Sequence, residues 1–134
     1  MEAPRLDRIK VWTAHRVKFW ALVVDGETEV GAFLDELARE HPGAMLDWAK
    51  QLDQIGQRDY WIGEQWFKQM KGYPSQWEVR RGHHRLMGFR VGDDVILCLH
   101  RIKRSDRADP RDLVRIERLA KEWRNQHGQG MDRE

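Results

Sequence analysis

The first half of the chain contains one segment in which apolar residues occupy alternate positions. It is followed by two segments in which apolar residues recur at helical spacing. In residues 11–24, Val17, Phe19 and Ala21 occupy alternate positions, which predicts a β-strand with one buried face. Asp25-Gly26 supplies a turn. Apolar residues then recur at the i, i+3, i+4 and i+7 spacing of a helical face, first in residues 30–37 and again in residues 45–55. These two stripes predict a hairpin of helices that ends near Gly56.

Alternation returns in the second half of the chain. Trp77 and Val79 alternate with charged residues, and turns at residues 81–83 and 92–94 separate this segment from residues 86–91 and 95–103. Three such segments in a row predict an antiparallel meander. Residues 95–99 are apolar at every position, which is typical of a strand covered on both faces. Residues 57–70 are rich in aromatic side chains but show no period, so we interpret them as a loop with short structure.

A last helix is predicted to begin at Pro110, where Asp109 can cap it. Its apolar stripe, which we expect to be buried, consists of Leu113, Ile116, Ala120 and Trp123, and its expected exposed residues are Arg111, Arg115 and Arg118. The order β-α-α-β-β-β-α predicts an α+β fold. We expect a twisted antiparallel sheet of three or four strands, with the helical hairpin beside it and the last helix at its edge or face.

At 134 residues the chain is the size of one domain. We expect a single domain over residues 1–134, with an N-terminal extension of about residues 1–16 and a frayed tail of about residues 128–134. Neither a secretory signal nor an apolar run long enough to span a bilayer is apparent, so we expect a cytoplasmic protein without membrane contacts. The only cysteine, Cys98, lies in the apolar run and predicts a buried thiol.

Charge is distributed unevenly along the chain. Residues 1–70 carry 9 Lys and Arg against 12 Asp and Glu, whereas residues 71–127 carry 14 against 8. A basic half on a nearly neutral chain indicates one cationic face for a polyanion, although uneven placement of ordinary surface arginines would give the same count.

The basic residues concentrate on the predicted meander and the loop before it. Cutting RNA by attack of its own 2′-hydroxyl needs a base, positive charge on the phosphorane and a proton donor, and that scheme requires no metal. We therefore expect no cofactor, and no group of histidines has the spacing of a zinc site. Each basic residue taken singly also has a simpler interpretation as ordinary solvent-facing charge. The basic residues concerned are Lys68, Lys71, Arg80, Arg81, Arg85, Arg90, Arg101, Lys103 and Arg104.

Several short motifs, in their order and spacing, resemble the HigB-like, phage-derived branch of the RelE/ParE toxin superfamily. The resemblance covers roughly residues 17–123. The motifs are Val24-Asp25-Gly26, residues 30–37, Gly63-Glu64, Lys68-Gln69-Met70-Lys71-Gly72, Trp77-Glu78-Val79-Arg80, His84-Arg85-Leu86, Leu99-His100-Arg101-Ile102-Lys103-Arg104, and Pro110 opening a helix. This resemblance implies a RelE-like fold, cleavage of messenger RNA on the ribosome, and neutralisation by a helix-turn-helix antitoxin.

The resemblance also implies roles for particular residues. Arg85 matches the arginine at the start of the central strand that contacts the scissile phosphate, and Arg80 matches a basic residue on the preceding strand. Glu64 occupies the position of a carboxylate base in one relative, and His84 the position where many relatives have Tyr or His. The catalytic candidates are Arg85, Arg80, Glu64, His84 and Lys103, and the RNA-binding candidates are Lys68, Lys71, Arg81, Arg101, Arg104, Arg111 and Arg115.

The sequence leaves two other functions open. The ParE toxins of the same superfamily poison DNA gyrase without cutting RNA, and a non-catalytic phage-derived binding module needs no base, cation and acid at all. The chain departs from RelE proper at Gln76 and Glu78, where that branch carries lysines. No Tyr or His follows Arg104 in the position that some relatives use as the acid.

Overall fold

A computed structural model of the chain describes residues 2–58, 61, 65–103 and 107–128. In these residues the elements follow the order β-β-α-α-β-β-β-β-α. The strands are β1 (Leu6–Trp12), β2 (Lys18–Val24), β3 (Phe67–Met70), β4 (Tyr73–Arg81), β5 (His84–Val91) and β6 (Asp94–Ile102), and the helices are α1 (Glu29–Glu40), α2 (Pro42–Gly56) and α3 (Pro110–His127).

The strands form one six-stranded sheet in the order β1-β2-β6-β5-β4-β3. The α+β class and the meander of β4, β5 and β6 are confirmed. The predicted antiparallel sheet of three or four strands is wrong in two respects, because β1 and β3 add strands at the two edges and β2 pairs with β6 in parallel. In that pair Lys18 aligns with Asp94 and Ala21 with Leu97. Parallel pairing needs a long connection, which α1, α2 and the meander provide.

The predicted strand over residues 11–24 is two strands. Val11 and Trp12 end β1, which runs antiparallel to β2 with Leu6 opposite Val24. The connection is held by Asp53 of α2, whose Oδ1 accepts from Trp12 Nε1 at 3.0 Å and lies 2.7 Å from His15 Nε2. Much of the predicted N-terminal extension is therefore an edge strand of the sheet.

The two helices of the hairpin cover one face of the sheet. Thr28 caps α1 by accepting a hydrogen bond from the amide of Gly31 at 3.0 Å, and Pro42 opens α2, where its missing N–H costs nothing. The apolar stripes of both helices, as predicted, face the core. The core on this side includes Val30, Leu34, Trp48, Leu52 and Ile55 from the helices and Phe19, Val79, Leu86 and Leu97 from the strands.

Helix α3 packs against the opposite face of the sheet. Asp109 caps it, as predicted, by accepting from the amide of Arg111 at 2.9 Å. Of the predicted stripe, Ile116, Ala120 and Trp123 are buried and Leu113 is partly buried, while the three arginines expected on the outside are exposed. With helices on both faces, β6 is covered on both sides, which explains its continuous apolar run. Cys98 is buried, as predicted, and burial raises the pKa of its thiol.

Candidate functional site

Arg80 and Arg85 face each other across the β4–β5 pair, and Glu78 lies between their guanidinium groups. The short turn at Gly82 and His83 sets a register in which Arg80 is opposite Arg85. Because alternate residues of a strand share a face, Glu78 and Arg80 both lie on the α3 side of the sheet. Glu78 Oε2 is 3.1 Å from Arg80 Nε, and Glu78 Oε1 is 3.5 Å from Arg85 Nε. We call these three residues the Arg80–Glu78–Arg85 cluster.

The cluster is nearly inaccessible to solvent and carries one net positive charge. The side chains of Glu78, Arg85 and Arg80 are 4%, 8% and 10% exposed. Arg85 also holds the turn, because its Nη1 donates to the carbonyl of Gly82 at 2.7 Å and to that of His84 at 3.0 Å. The guanidinium of Arg85 therefore stabilises the β4–β5 turn through hydrogen bonds and also places a positive charge at that end of the sheet.

Two of the predicted lysines lie near this cluster and a third is more peripheral. Lys68 on β3 is directly opposite Glu78 and shares its face of the sheet. The backbone amide of Lys103 donates to the carbonyl of His83 at 2.7 Å, which places Lys103 at the end of the sheet where the β4–β5 turn lies. Lys71 is exposed in the turn between β3 and β4. The fold thus brings Lys68 and Lys103, which are far apart in the sequence, close to the Arg80–Glu78–Arg85 cluster.

His84 lies on the other face of the sheet from Arg85, because neighbouring residues of a strand point to opposite sides. Its Nδ1 is 2.9 Å from Nε2 of His100 on β6, and both rings stack on Phe33 of α1. The ring centroids of Phe33 and His100 are 3.7 Å apart. The structure therefore does not bring His84 together with Arg85, and instead builds a histidine pair beneath the helical hairpin.

The pH dependence of stability is expected to report on this histidine pair. Burial, and then the neighbouring charge of His84, lower the pKa of His100 below its ordinary value of 6.5. At pH values between the pKa of His100 in the folded chain and its ordinary pKa in the unfolded chain, the unfolded chain binds more protons. Stability is therefore lost as pH falls from 6.5 through the pKa of folded His100.

Thermal unfolding at pH 7.5 and pH 5.5 measures this effect. We expect Tm to fall less in His100→Phe than in the unchanged chain, because phenylalanine keeps the stack on Phe33 and does not titrate. The facing charges of Glu29 and Arg101 remain in both proteins. An equal fall in the two proteins would show that His100 contributes nothing to the acid sensitivity.

The remaining predicted RNA-binding residues are spread around the molecule. Arg81 lies on the α2 side and pairs with Asp47 at 3.2 Å. Arg101 joins three elements, with its Nη1 2.9 Å from Glu29 Oε2 and its Nη2 3.1 Å from Asp112 Oδ1. Its role in the described contacts is to hold β6 to α1 and α3.

The two predicted arginines on α3 are exposed. Arg111, which is 91% exposed in its side chain, pairs with the capping residue Asp109 at 3.0 Å. Arg115 lies farther along the helix, near the buried Cys98. Glu64 and Arg104, predicted as a base and an RNA contact, lie outside the described residues.

Two structurally central polar residues were not among the predicted site residues. Glu78 was noted as part of a motif and as a departure from the RelE pattern but not as a site residue, although its position two residues before Arg80 places it on the same strand face. Gln51 sits within the apolar stripe of α2, and its Nε2 donates to the backbone carbonyl of Arg80 at 2.7 Å. A polar residue inside a helical apolar stripe was the available signal for Gln51.

Within the described ranges, no three His, Cys, Asp or Glu side chains are grouped so that they could hold a metal ion. None of the described helices combines the length and apolar character needed to cross a membrane. No protein-family model, curated protein or solved structure matches the chain.

Proposed function

We propose that this protein is the toxin of a type II toxin–antitoxin system and cuts messenger RNA on the ribosome without a metal. The observation that carries the proposal is the pairing of Arg80 with Arg85 at one end of the sheet, at positions where the RelE/ParE motifs have their basic residues. Lys68, on the same face, and Lys103, at the same end of the sheet, add positive charge. The surplus of basic residues after residue 70 supports binding of a polyanion.

In the proposed reaction, a base, for which the resemblance offers Glu64, takes the proton of the 2′-hydroxyl of one nucleotide, and the 2′-oxygen attacks the adjacent phosphate. The bond from phosphorus to the 5′-oxygen of the next nucleotide breaks, that oxygen takes a proton from an acid, and a 2′,3′-cyclic phosphate remains. Negative charge grows on the phosphorane oxygens during this step. Arg85, assisted by Arg80, stabilises that charge once the phosphate displaces Glu78 from the two guanidinium groups, whose side chains are 8% and 10% exposed in the free protein. Because His84 lies on the opposite face, we give the electrostatic role to the two arginines and assign His84 no part in the same step.

The proposed regulatory partner is a helix-turn-helix antitoxin whose acidic helical segment contacts exposed basic residues of this chain. Lys71, in the turn between β3 and β4, and Arg111, in the first turn of α3, are exposed and can form such contacts. Contacts between exposed charges weaken with ionic strength, so the affinity of this complex should fall as salt rises.

A second candidate function, a non-catalytic binding module, is favoured by the contacts of Arg85. Its Nε faces Glu78 and its Nη1 donates to two carbonyls of the turn, which is what a purely structural arginine does. Such a module would keep the fold and the basic surface and would cut no RNA.

Replacing Arg85 by alanine is expected to reduce messenger cleavage on the order of 100-fold, the usual cost of losing a preorganised electrostatic contact in a transition state. Binding to ribosomes should fall less. The measurement is an in vitro translation reaction with purified ribosomes, in which primer extension maps the cuts.

The control for this experiment is Arg39→Ala, which removes an exposed arginine at the end of α1. Circular dichroism of each variant separates loss of activity from loss of fold. Codon-spaced cuts that vanish in the Arg85 variant support the proposal. Intact messenger together with trapped gyrase–DNA complexes in a parallel supercoiling assay would replace it with gyrase poisoning, and inactivity in both assays would favour the binding module.

A further inference from the structure

A cleft of about 520 Å³ opens between α2 and the strand ends next to the cluster. Its walls include Asp47, Lys50, Gln51 and Gln54 of α2, Trp66 before β3, and Arg81 at the end of β4. We call it the α2–β4 cleft. Its volume lies in the range of roughly 300–1,000 Å³ that is usual for small-ligand sites. Among its lining residues, Arg81 was a predicted RNA-binding residue and Arg80 a predicted catalytic residue.

The shape of the α2–β4 cleft is fixed by the buried amide of Gln51. The Nε2 atom of Gln51 donates to the carbonyl of Arg80 at 2.7 Å and lies 3.4 Å from that of Trp66. The Trp66 carbonyl also accepts from the amide of Arg80 at 2.9 Å. These hydrogen bonds tie the helix to both strand ends, so the cleft is preformed rather than assembled on binding.

The rim of the cleft carries cations that a phosphate can reach. Lys50 is exposed, and Arg81 pairs with Asp47 at 3.2 Å, with side chains that are 41% and 49% exposed. Ion pairs this exposed to solvent contribute little to stability. A phosphate, which arginine binds in a bidentate manner, can therefore take the place of Asp47 beside Arg81.

The cleft is also lined by the partly buried ring of Trp66 and, at its rim, by an exposed amide. The guanidinium carbon of Arg58 lies 4.9 Å from the ring centroid of Trp66 and supports that ring. Gln54, exposed on the rim, has both a donor and an acceptor in one plane. Aromatic stacking combined with an amide contact and adjacent cations is the chemistry by which proteins bind the bases of single-stranded RNA.

We propose that the α2–β4 cleft binds one nucleobase and the neighbouring phosphate of a single-stranded RNA. This inference rests on the proposed function and deepens it, because the cleft adjoins Arg80. The backbone carbonyl of Arg80 is bonded to Gln51 at the cleft, whereas its side chain contacts Glu78. An RNA strand that crosses the end of β4 would place a base in the cleft and its scissile phosphate near Arg85. The cleft would then influence which nucleotides flank the cut.

The test compares two labelled probes by fluorescence anisotropy: a short single-stranded oligoribonucleotide and an abasic oligomer of the same length. Trp66→Leu and Gln54→Ala should each weaken binding of the RNA, by about tenfold for the stacking residue, and leave the abasic oligomer unaffected. Arg81→Ala should weaken both probes, because it contacts phosphate. Arg39→Ala, far along α1, is the matched control. Gln54→Ala changes an exposed side chain and keeps the test decisive if the tryptophan variant misfolds.

Equal affinity for the two probes, unaffected by Trp66→Leu and Gln54→Ala, would overturn the proposal and leave a plain anion site that an acidic protein segment could fill. Cleavage mapping separates this inference from the proposed function. In one outcome, the unchanged protein cuts messenger RNA, and the cleft variants bind RNA as well as it does and cut at the same positions. This outcome refutes the base subsite and leaves the proposed nuclease function intact. If the unchanged protein cuts nothing but binds RNA through its bases in the cleft, the subsite stands and the nuclease is refuted.

Discussion

Replacing Glu78 by leucine is expected to destabilise the protein by about 3–5 kcal/mol, the usual cost of removing one partner of a buried ion pair. Glu78 is 3% exposed and lies between the guanidinium groups of Arg80 and Arg85. Without its carboxylate, two positive charges face each other in a poorly hydrated site. Urea unfolding followed by circular dichroism measures the change in the free energy of unfolding.

Two further variants test whether the loss of stability in Glu78→Leu arises because the ion pair is buried. Asp47→Ala removes the partner of Arg81, but that pair is largely exposed and its loss should cost less than about 1 kcal/mol. The double variant Glu78→Leu, Arg85→Met replaces the buried pair by apolar side chains and should recover part of the stability. A cost for Glu78→Leu as small as for Asp47→Ala would show that the cluster is hydrated and contributes little to the fold.

Gly88→Ala is expected to be the other strongly destabilising change, by about 3 kcal/mol, at the upper end of the usual cost of overpacking a core. Gly88 lies in β5 where the register against β6 shifts, so that Met87 is opposite Leu99 and Gly88 opposite Leu97. A Cβ at this position would overlap the carbonyl oxygen of Ile96 and lie 2.7 Å from its carbonyl carbon. Backbone atoms in the middle of a sheet cannot move aside as a flexible side chain can.

The matched control is Gly43→Ala, in the first turn of α2. A Cβ there meets no atom within 4 Å, and the helical backbone suits alanine, so stability should rise by roughly 0.5–1 kcal/mol. Thermal unfolding of both variants gives the comparison. If Gly88→Ala melts within a degree of the unchanged protein, the bulge between β5 and β6 is more adaptable than its geometry indicates.

The elements that could be predicted from the sequence are those whose pattern is local. The i, i+3, i+4 recurrence of α1 and α2 and the capped start of α3 depend on residues within a few positions of one another. β3 could not be predicted, because its four residues are too few to show a period. The parallel pairing of β2 with β6 was also missed, since it joins distant segments and leaves no mark in either one.

The candidate site likewise has some features that could be predicted from the sequence and others that could not. That Arg80 and Arg85 meet follows from the short turn between them, and His84 could have been placed on the opposite face from Arg85 by the alternation of strand residues alone. The burial of Glu78 could not be predicted, because an acidic residue at an alternate strand position is typical of a solvent-facing edge. The packing of α3 and of neighbouring strands on that face, which only the folded chain shows, makes it a buried partner of two arginines.

The parallel pair of β2 and β6 has a consequence for synthesis of the chain. The β1–β2 hairpin leaves the ribosome before β6, which is made only after both helices and the rest of the meander. Until then, the hydrogen-bonding edge of β2 that pairs with β6 over residues 18–21 has no native strand to pair with. Unpaired strand edges are sites where nascent chains associate with one another. Completion of the sheet therefore waits until β6 has been made, and the open edge of β2 needs protection until then.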